Sequence, residues 1–266
     1  MAFAFHTDPE LYFRHQFEHA RDFVIPFIEQ QVSLRPGMQV LEIGCGEGGV
    51  LKAFLERDCT CLGIDLSADK IAHGEKLLQE SISAGKMEFL AKDIYEVETE
   101  KLLNGRFDLI VLKDTIEHIF DQEKIIRQMK RFLKSGGMIF YGYPPWYMPF
   151  GGHQQIARSK LLSRLPWFHL LPAPIYRLIL KSFGEAPECV QELLEIKSTG
   201  ISTGRFERLH KRNGYDLVAR RLYLINPIYA WKFGLQPKVL PSWLESIPFL
   251  RDFLCTTAWY LVKPRS

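Results

Sequence analysis

The sequence predicts an α/β fold with a mostly parallel sheet and helices on both faces. Three observations carry this. From residue 38 onward, short apolar strands alternate with amphipathic helical stretches. The first strand runs into the glycine-rich turn Gly44-Cys45-Gly46-Glu47-Gly48-Gly49. A chain of 266 residues with 47% hydrophobic content can bury the core such a sheet needs.

Residues 8–32 read as a helix, because Leu11, Phe17, Phe23, Phe27 and Ile28 recur near helical spacing and Arg35-Pro36-Gly37 closes the segment. Strands follow at about 38–43, 59–64, 87–91, 107–112 and 138–143. Between them lie helices at about 48–57, 68–84, 96–103 and 121–133, the second capped by Ser67. Parallel strands joined in this way need right-handed crossovers. Lys134-Ser135-Gly136-Gly137 reads as the turn that launches the fifth strand. After Pro144-Pro145 the alternation stops, and residues 146–199 are rich in aromatics, prolines and basic side chains. A helix over 202–212, a turn at Asn213-Gly214, a strand over 215–225 and a last, antiparallel strand at about 254–262 complete the chain. The organisation expected is an N-terminal helical cap (1–37), a cofactor-binding core (38–145), a helical lid that binds the acceptor (146–199) and a C-terminal completion of the core (200–266).

Composition narrows the function. A net charge of +3 and a pI near 8.5 are far from the clustered excess of a protein that neutralises many phosphates, so nucleic acid is not expected as a partner. Cys45, Cys59, Cys61, Cys189 and Cys255 form no metal-like pair and fit a reduced interior; Cys59 and Cys61 share one strand face as small apolar side chains. The first ten residues lack a basic region followed by an apolar stretch, and no run approaches a membrane span, so a soluble, cytoplasmic protein is expected.

The glycine turn lies beyond the carboxyl end of the first strand, where open parallel sheets bind ligands. Glycines there allow close backbone approach, and the next helix offers N–H groups to an anion. Alone, the turn also satisfies the GxGxxG pattern of dinucleotide binders. Asp65 ends the second strand, where a carboxylate can accept from two ribose hydroxyls, and both cofactor classes want that acid. Asp93, ending Phe89-Leu90-Ala91-Lys92-Asp93-Ile94, can accept from an adenine amino group, and Leu66 and Ile94 could sandwich the ring. Glu42, two residues before the first glycine, is unusual in dehydrogenase turns.

On Val40 to Gly48, Gly63-Ile64-Asp65-Leu66-Ser67, Ala91-Lys92-Asp93-Ile94, Phe107 to Leu112 and Leu133 to Gly137, residues 38–143 resemble the class I S-adenosylmethionine-dependent methyltransferases. The resemblance implies a Rossmann-like seven-stranded sheet ordered 3-2-1-4-5-7-6 with its last strand antiparallel. It also implies S-adenosyl-L-methionine as methyl donor and S-adenosyl-L-homocysteine as product. Glu42, Gly44, Cys45, Gly46, Gly48, Asp65, Leu66, Asp93, Ile94 and Lys113 then form the cofactor site, with the Lys113 backbone carbonyl accepting from the methionine amine. Tyr12, Phe13 and Arg14 cover the cofactor in this reading, and Glu47 faces the methionine moiety or solvent.

Transfer to oxygen needs alignment and a proton acceptor. His118 closes the fourth-strand sequence Lys113-Asp114-Thr115-Ile116-Glu117-His118, and His153 lies in the loop after the fifth strand, so both are candidate bases. His15 and His19 have metal-like spacing, but packing roles are expected and no metal is. The basic, aromatic segment 158–184 could meet a membrane or a lipid-like acceptor. Its prolines favour a lid packed on the core or on a second subunit of a homodimer. Lys113-Asp114-Thr115-Ile116 lacks the Asn/Asp-Pro-Pro-Tyr/Phe signature of base-modifying enzymes. The expected activity is methylation of a small molecule, at oxygen. A nicotinamide-dependent oxidoreductase and a catalytically silent binding protein of the same fold are the alternatives.

Overall fold

The computed structural model describes residues 8–265. The first seven residues, over which part of the targeting reading was made, lie outside the described residues. The chain enters through α1 (Pro9–His19), capped by Asp8, whose carboxylate accepts from the Leu11 N–H. It passes through a π-helical turn (Ala20–Val24) into α2 (Ile25–Glu29). Pro26 has no N–H to give the carbonyl four residues back, and the wider turn just before it absorbs that defect without ending the helix.

The core then alternates as expected: β1 (Gln39–Ile43), α3 (Gly49–Leu55), β2 (Thr60–Asp65), α4 (Ala68–Leu77), α5 (Gln79–Ser83), β3 (Met87–Ala91), α6 (Val97–Leu103), β4 (Phe107–Lys113), α7 (Gln122–Phe132) and β5 (Leu133–Tyr143). Ser67 caps α4 by accepting from the Lys70 N–H. Next come α8 (Ala173–Ser182), α9 (Pro187–Thr199), α10 (Thr203–Arg212), β6 (Tyr215–Ile225), α11 (Tyr229–Phe233), β7 (Lys238–Val239), α12 (Ser242–Glu245), α13 (Leu250–Leu254) and β8 (Thr257–Pro264).

The sheet order is β3-β2-β1-β4-β5-β8-β6-β7. β1 to β5 are parallel, and β8 inserts antiparallel between β5 and β6. This is the expected topology with one addition, since the two-residue β7 pairs with the outer edge of β6 and raises the strand count to eight. The turn expected at 134–137 lies inside β5: the pairing jumps from Phe107↔Leu133 to Leu109↔Met138, and Lys134–Gly137 bulge out between those registers.

Strand alternation explains the two-sided core. On β4, Leu109 and Val111 face one helical layer while Ile110 and Leu112 face the other; on β1, Val40 takes the first side and Leu41 and Ile43 the second. The first layer contains the N-terminal helix and α3 and holds Cys45, Cys59 and Cys61 among its apolar residues. The second contains α7 and α10. The segment after β5 builds a small core of its own from Ala157, Leu162, Phe168, Tyr176, Leu180, Val190 and Leu193. No helix among the described residues is long and apolar enough to cross a membrane.

Candidate active site

The carboxyl ends of β1, β2 and β4 and the N-terminal helix enclose a cleft of about 290 Å³. Its lining includes Tyr12, Phe13 and Gln16 from α1, the loop Gly44–Glu47, and Asp114, Thr115 and His118 after β4. Glu42, Asp65, Lys70 and Lys113 also border it.

The glycine loop is shaped by contacts that leave no room for a side chain at Gly44 or Gly48. Gly44 has φ +75°, and a Cβ there would lie 2.6 Å from Thr115 Oγ1. The loop is tied to β2 through Asp65. One carboxylate oxygen accepts from the Gly46 N–H at 2.9 Å, and the other from the Ser67 N–H at 2.9 Å. Asp65 therefore fixes the loop whatever else it binds, and each oxygen keeps a further lone pair toward the cleft.

Glu42 is 2% exposed, and its Oε2 has no hydrogen-bond partner; the Oε1 of buried Gln16 is likewise unpartnered. Burial pushes the Glu42 carboxyl well above the usual carboxylate range, although nearby Lys113 opposes the shift. Burial alone would lower Lys113. Asp114, whose Oδ2 lies 2.5 Å from the Lys113 ammonium, together with Tyr12 and Glu42 outweighs that and holds the lysine above its ordinary value. Two buried, unpartnered acceptors beside a tight glycine cradle fit a ligand carrying N–H donors, as the amine of a methionine moiety does.

The Lys113 carbonyl already accepts from Thr115 Oγ1 at 3.0 Å, with one lone pair left. Cys45 lines the cleft as a buried thiol, and Glu47 is buried at its edge. Arg14 is exposed and outside the lining, whereas Tyr12 and Phe13 belong to it. Leu66, Asp93 and Ile94 are not part of the lining. Leu66 is 77% exposed beside the β2 terminus, and Asp93 is exposed and accepts from the Tyr95 N–H. Ile94 packs into the core while its carbonyl accepts from Gln128. His15 and His19 pack on aromatic rings: His15 stacks on Trp231 and His19 meets Trp259 edge-on at 5.6 Å.

The structure brings the two candidate bases together. The His118 and His153 rings lie 5.0 Å apart in an edge-to-face arrangement. Asp114, at φ +53°, turns the chain out of β4 so that Ile116–His118 forms a short 3₁₀ turn over the cleft. His153 also has a left-handed backbone, φ +52°, and sits where the loop after β5 folds back. That loop is fastened from inside. Gln154 donates to the carbonyls of Pro149 and Leu165, and Trp146 donates from its backbone to Ile201. A Cβ on Gly152 would meet the His169 Cβ at 2.2 Å, which accounts for the glycine.

Burial, reinforced by neighbouring His118, pushes His153 down to about 4; burial also lowers His118, so both imidazoles are neutral at neutral pH. Glu117 beneath them is fully enclosed, and burial raises its carboxyl well above the usual range. Gln16 and Lys70 escaped the sequence reading, and Asp114, Thr115 and Glu117 entered it only as neighbours of His118 around the crevice, with no role of their own. Gln16 could have been reached from Tyr12 by helical spacing, and a role for Glu117 through its place beside His118.

Residues 34–164 match the family model described as a methyltransferase domain. The ubiquinone biosynthesis O-methyltransferase of Leptothrix cholodnii is 29% identical over 136 residues, covering 50% of this chain and 55% of that protein. The enzyme of the same name from Coxiella burnetii is 30% identical over 122 residues, 44% of this chain and 47% of that one. The chain spans about half the length of the curated relatives it matches. Among solved structures, the geranyl diphosphate C-methyltransferase of Streptomyces coelicolor superposes with a TM-score of 0.59 at 16% identity, covering 94% of this chain and 82% of that one. A methyltransferase from Clostridium acetobutylicum gives 0.57 at 13% identity, with 94% and 92% covered. The strand order, the loop built on Gly44 and Asp65, and the matched domain lead to one assignment: the chain carries a class I S-adenosylmethionine-dependent methyltransferase domain.

Proposed function

We propose that the chain methylates a hydroxyl oxygen of a small molecule, with S-adenosyl-L-methionine as donor. The observation that carries this reading is the pairing of His118, which lines the cofactor cleft, with His153 from the segment after β5. The bound cofactor supplies an activated methyl group, and the chain's side chains do the rest. Glu42 and Gln16 offer unpartnered acceptors to the amine end. Asp65 holds the loop and offers its remaining lone pairs to the ribose. Leu66 gains burial from an adenine laid on it, Ile94 supports that edge from the core, and Asp93 accepts from the amino group. His118, neutral and 44% exposed in its side chain, takes the acceptor's proton, while His153 holds the ring edge-on. The 146–199 segment closes over the acceptor as a lid.

The oxygen assignment follows the two O-methyltransferase relatives, with which this chain shares the half that contains the cleft. Binding of S-adenosylhomocysteine and NAD to the purified chain, followed by transfer of labelled methyl to a panel of phenols, catechols and amines, tests the proposal. Preference for NAD, or transfer to the amines alone, would refute it.

A further inference from the structure

We propose that Glu117, His118 and His153 form a site for one divalent transition-metal cation at the mouth of the cleft. One donor atom from each, an oxygen and two imidazole nitrogens, lies within 4.8 Å of the others. Among the described residues no other trio of histidine, cysteine, aspartate or glutamate gathers in this way. His118 Nε2 is 3.9 Å from Glu117 Oε1.

The second observation is independent of that spacing. Glu117 is 3% exposed, yet neither carboxylate oxygen has a hydrogen-bond partner. A buried carboxyl group with no hydrogen-bond partner is costly to maintain, and the His118 imidazole beside it stands 3.9 Å away, too far to satisfy it. The nearest ammonium, Lys113, is engaged by Asp114. A cation between Glu117 and the rings satisfies all three at once.

The donor chemistry selects the kind of cation. Two imidazoles and one carboxylate suit first-row ions such as Zn²⁺, whereas Mg²⁺ and Ca²⁺ prefer all-oxygen shells. Metal–ligand bonds of about 2.0–2.2 Å require the donors to draw closer than they stand. His118 has the freedom to do so, since its side chain is partly exposed. His153 is held in place by its left-handed backbone and by the fastened Gln154. Three ligands from one side leave coordination positions open to the cleft. On the methyl-transfer reading, on which this role rests, the acceptor hydroxyl binds there and the cation lowers its pKa, so that its proton passes to solvent and His118 acts as ligand in place of the base role it has without the cation.

Calorimetric titration of the chelator-stripped full chain with ZnCl₂ tests the site, with MgCl₂ as the contrast. One equivalent of Zn²⁺ should bind, MgCl₂ should not compete, and Glu117→Gln and His153→Gln should each weaken Zn²⁺ binding by about tenfold or more. Circular dichroism and S-adenosylhomocysteine binding on the same samples establish that the variants are folded. Absence of saturable one-to-one binding, or wild-type affinity in both folded variants, overturns the proposal. Methyl transfer that persists in chelator with no Zn²⁺ binding removes the metal site and leaves the methyltransferase reading intact. Zn²⁺ binding lost in both variants, with no methyl transfer to any acceptor, supports the site and counts against that reading alone.

Discussion

Asp65→Ala is the perturbation whose effect follows most directly from the structure. Its carboxylate accepts two backbone N–H bonds, from Gly46 within the glycine loop and from Ser67 at the start of α4. Hydrogen bonds to a charged acceptor are worth about 1.5–3 kcal/mol each, and water can replace part of that at a half-exposed position. A net loss of about 2 kcal/mol in loop organisation is the reasonable scale. If the loop must be ordered to bind, that cost appears in the dissociation constant as a weakening of about 30-fold. Lost ribose contacts would add to it. Asp65→Asn keeps one acceptor oxygen, so about 1 kcal/mol, or roughly fivefold, is expected. Calorimetry with S-adenosylhomocysteine measures both, and thermal melts establish that the sheet persists. Affinity within twofold of wild type for Asp65→Ala in a folded sample would show that neither the loop tie nor the ribose contact matters.

Three further outcomes follow from named contacts. Gly44→Ala forces a left-handed alanine, at about 1–2 kcal/mol, and drives its Cβ against Thr115, so S-adenosylhomocysteine affinity should fall at least about tenfold. Thr115→Ala should recover part of the loss, and equal affinities for Gly44→Ala with and without it would refute the clash. Arg251 is 5% exposed and donates to Glu207 and Thr203, joining α10 to α13. Arg251→Met should cost about 3 kcal/mol in urea denaturation, and a loss below about 1 would show the network to be dispensable. His210 is held down to about 4 by burial, so the folded state binds fewer protons than the unfolded chain between about pH 4 and 6.5. Its contribution is complete above about pH 6.5 and is lost as pH falls, by about 2 kcal/mol at pH 5. His210→Leu should flatten the pH dependence of stability by that amount, and an unchanged slope would refute the assignment.

Much of the fold was legible because it rests on short-range rules. The apolar runs at β1, β2 and β4 announce strands buried on both faces, Ser67 caps α4 as expected, and the helix read from Ser202 onward starts there, with Ser202 as its cap. The misread turn at 134–137 carries a real turn signal in its paired glycines, but pairing resumes on the same neighbour beyond it, and only the partner strand shows that it is a bulge. β7 was invisible for a similar reason: two residues, Lys238 and Val239, have no periodicity, and only the free edge of β6 makes them a strand.

The site divides along the same line. Gly44, Gly46 and Asp65 could be read together because a strand end and the turn after it are local geometry, and the parallel register of β1 on β2 brings Asp65 to Gly46. The meeting of His118 with His153 has no such local cause. It depends on Gly152 letting the loop pack on His169, on Trp146 hydrogen bonding to Ile201, and on Asp114 adopting a left-handed turn at the end of β4. Each is a contact between segments distant in sequence, so the two histidines looked like rival candidates for one role. Their proximity makes them parts of one arrangement, with Glu117 beneath. A single His→Ala variant therefore cannot assign the base, because removing either ring also releases the other. The double variant can: if the rings act as a unit, losing both should cost little more turnover than losing one, whereas independent roles would multiply the losses.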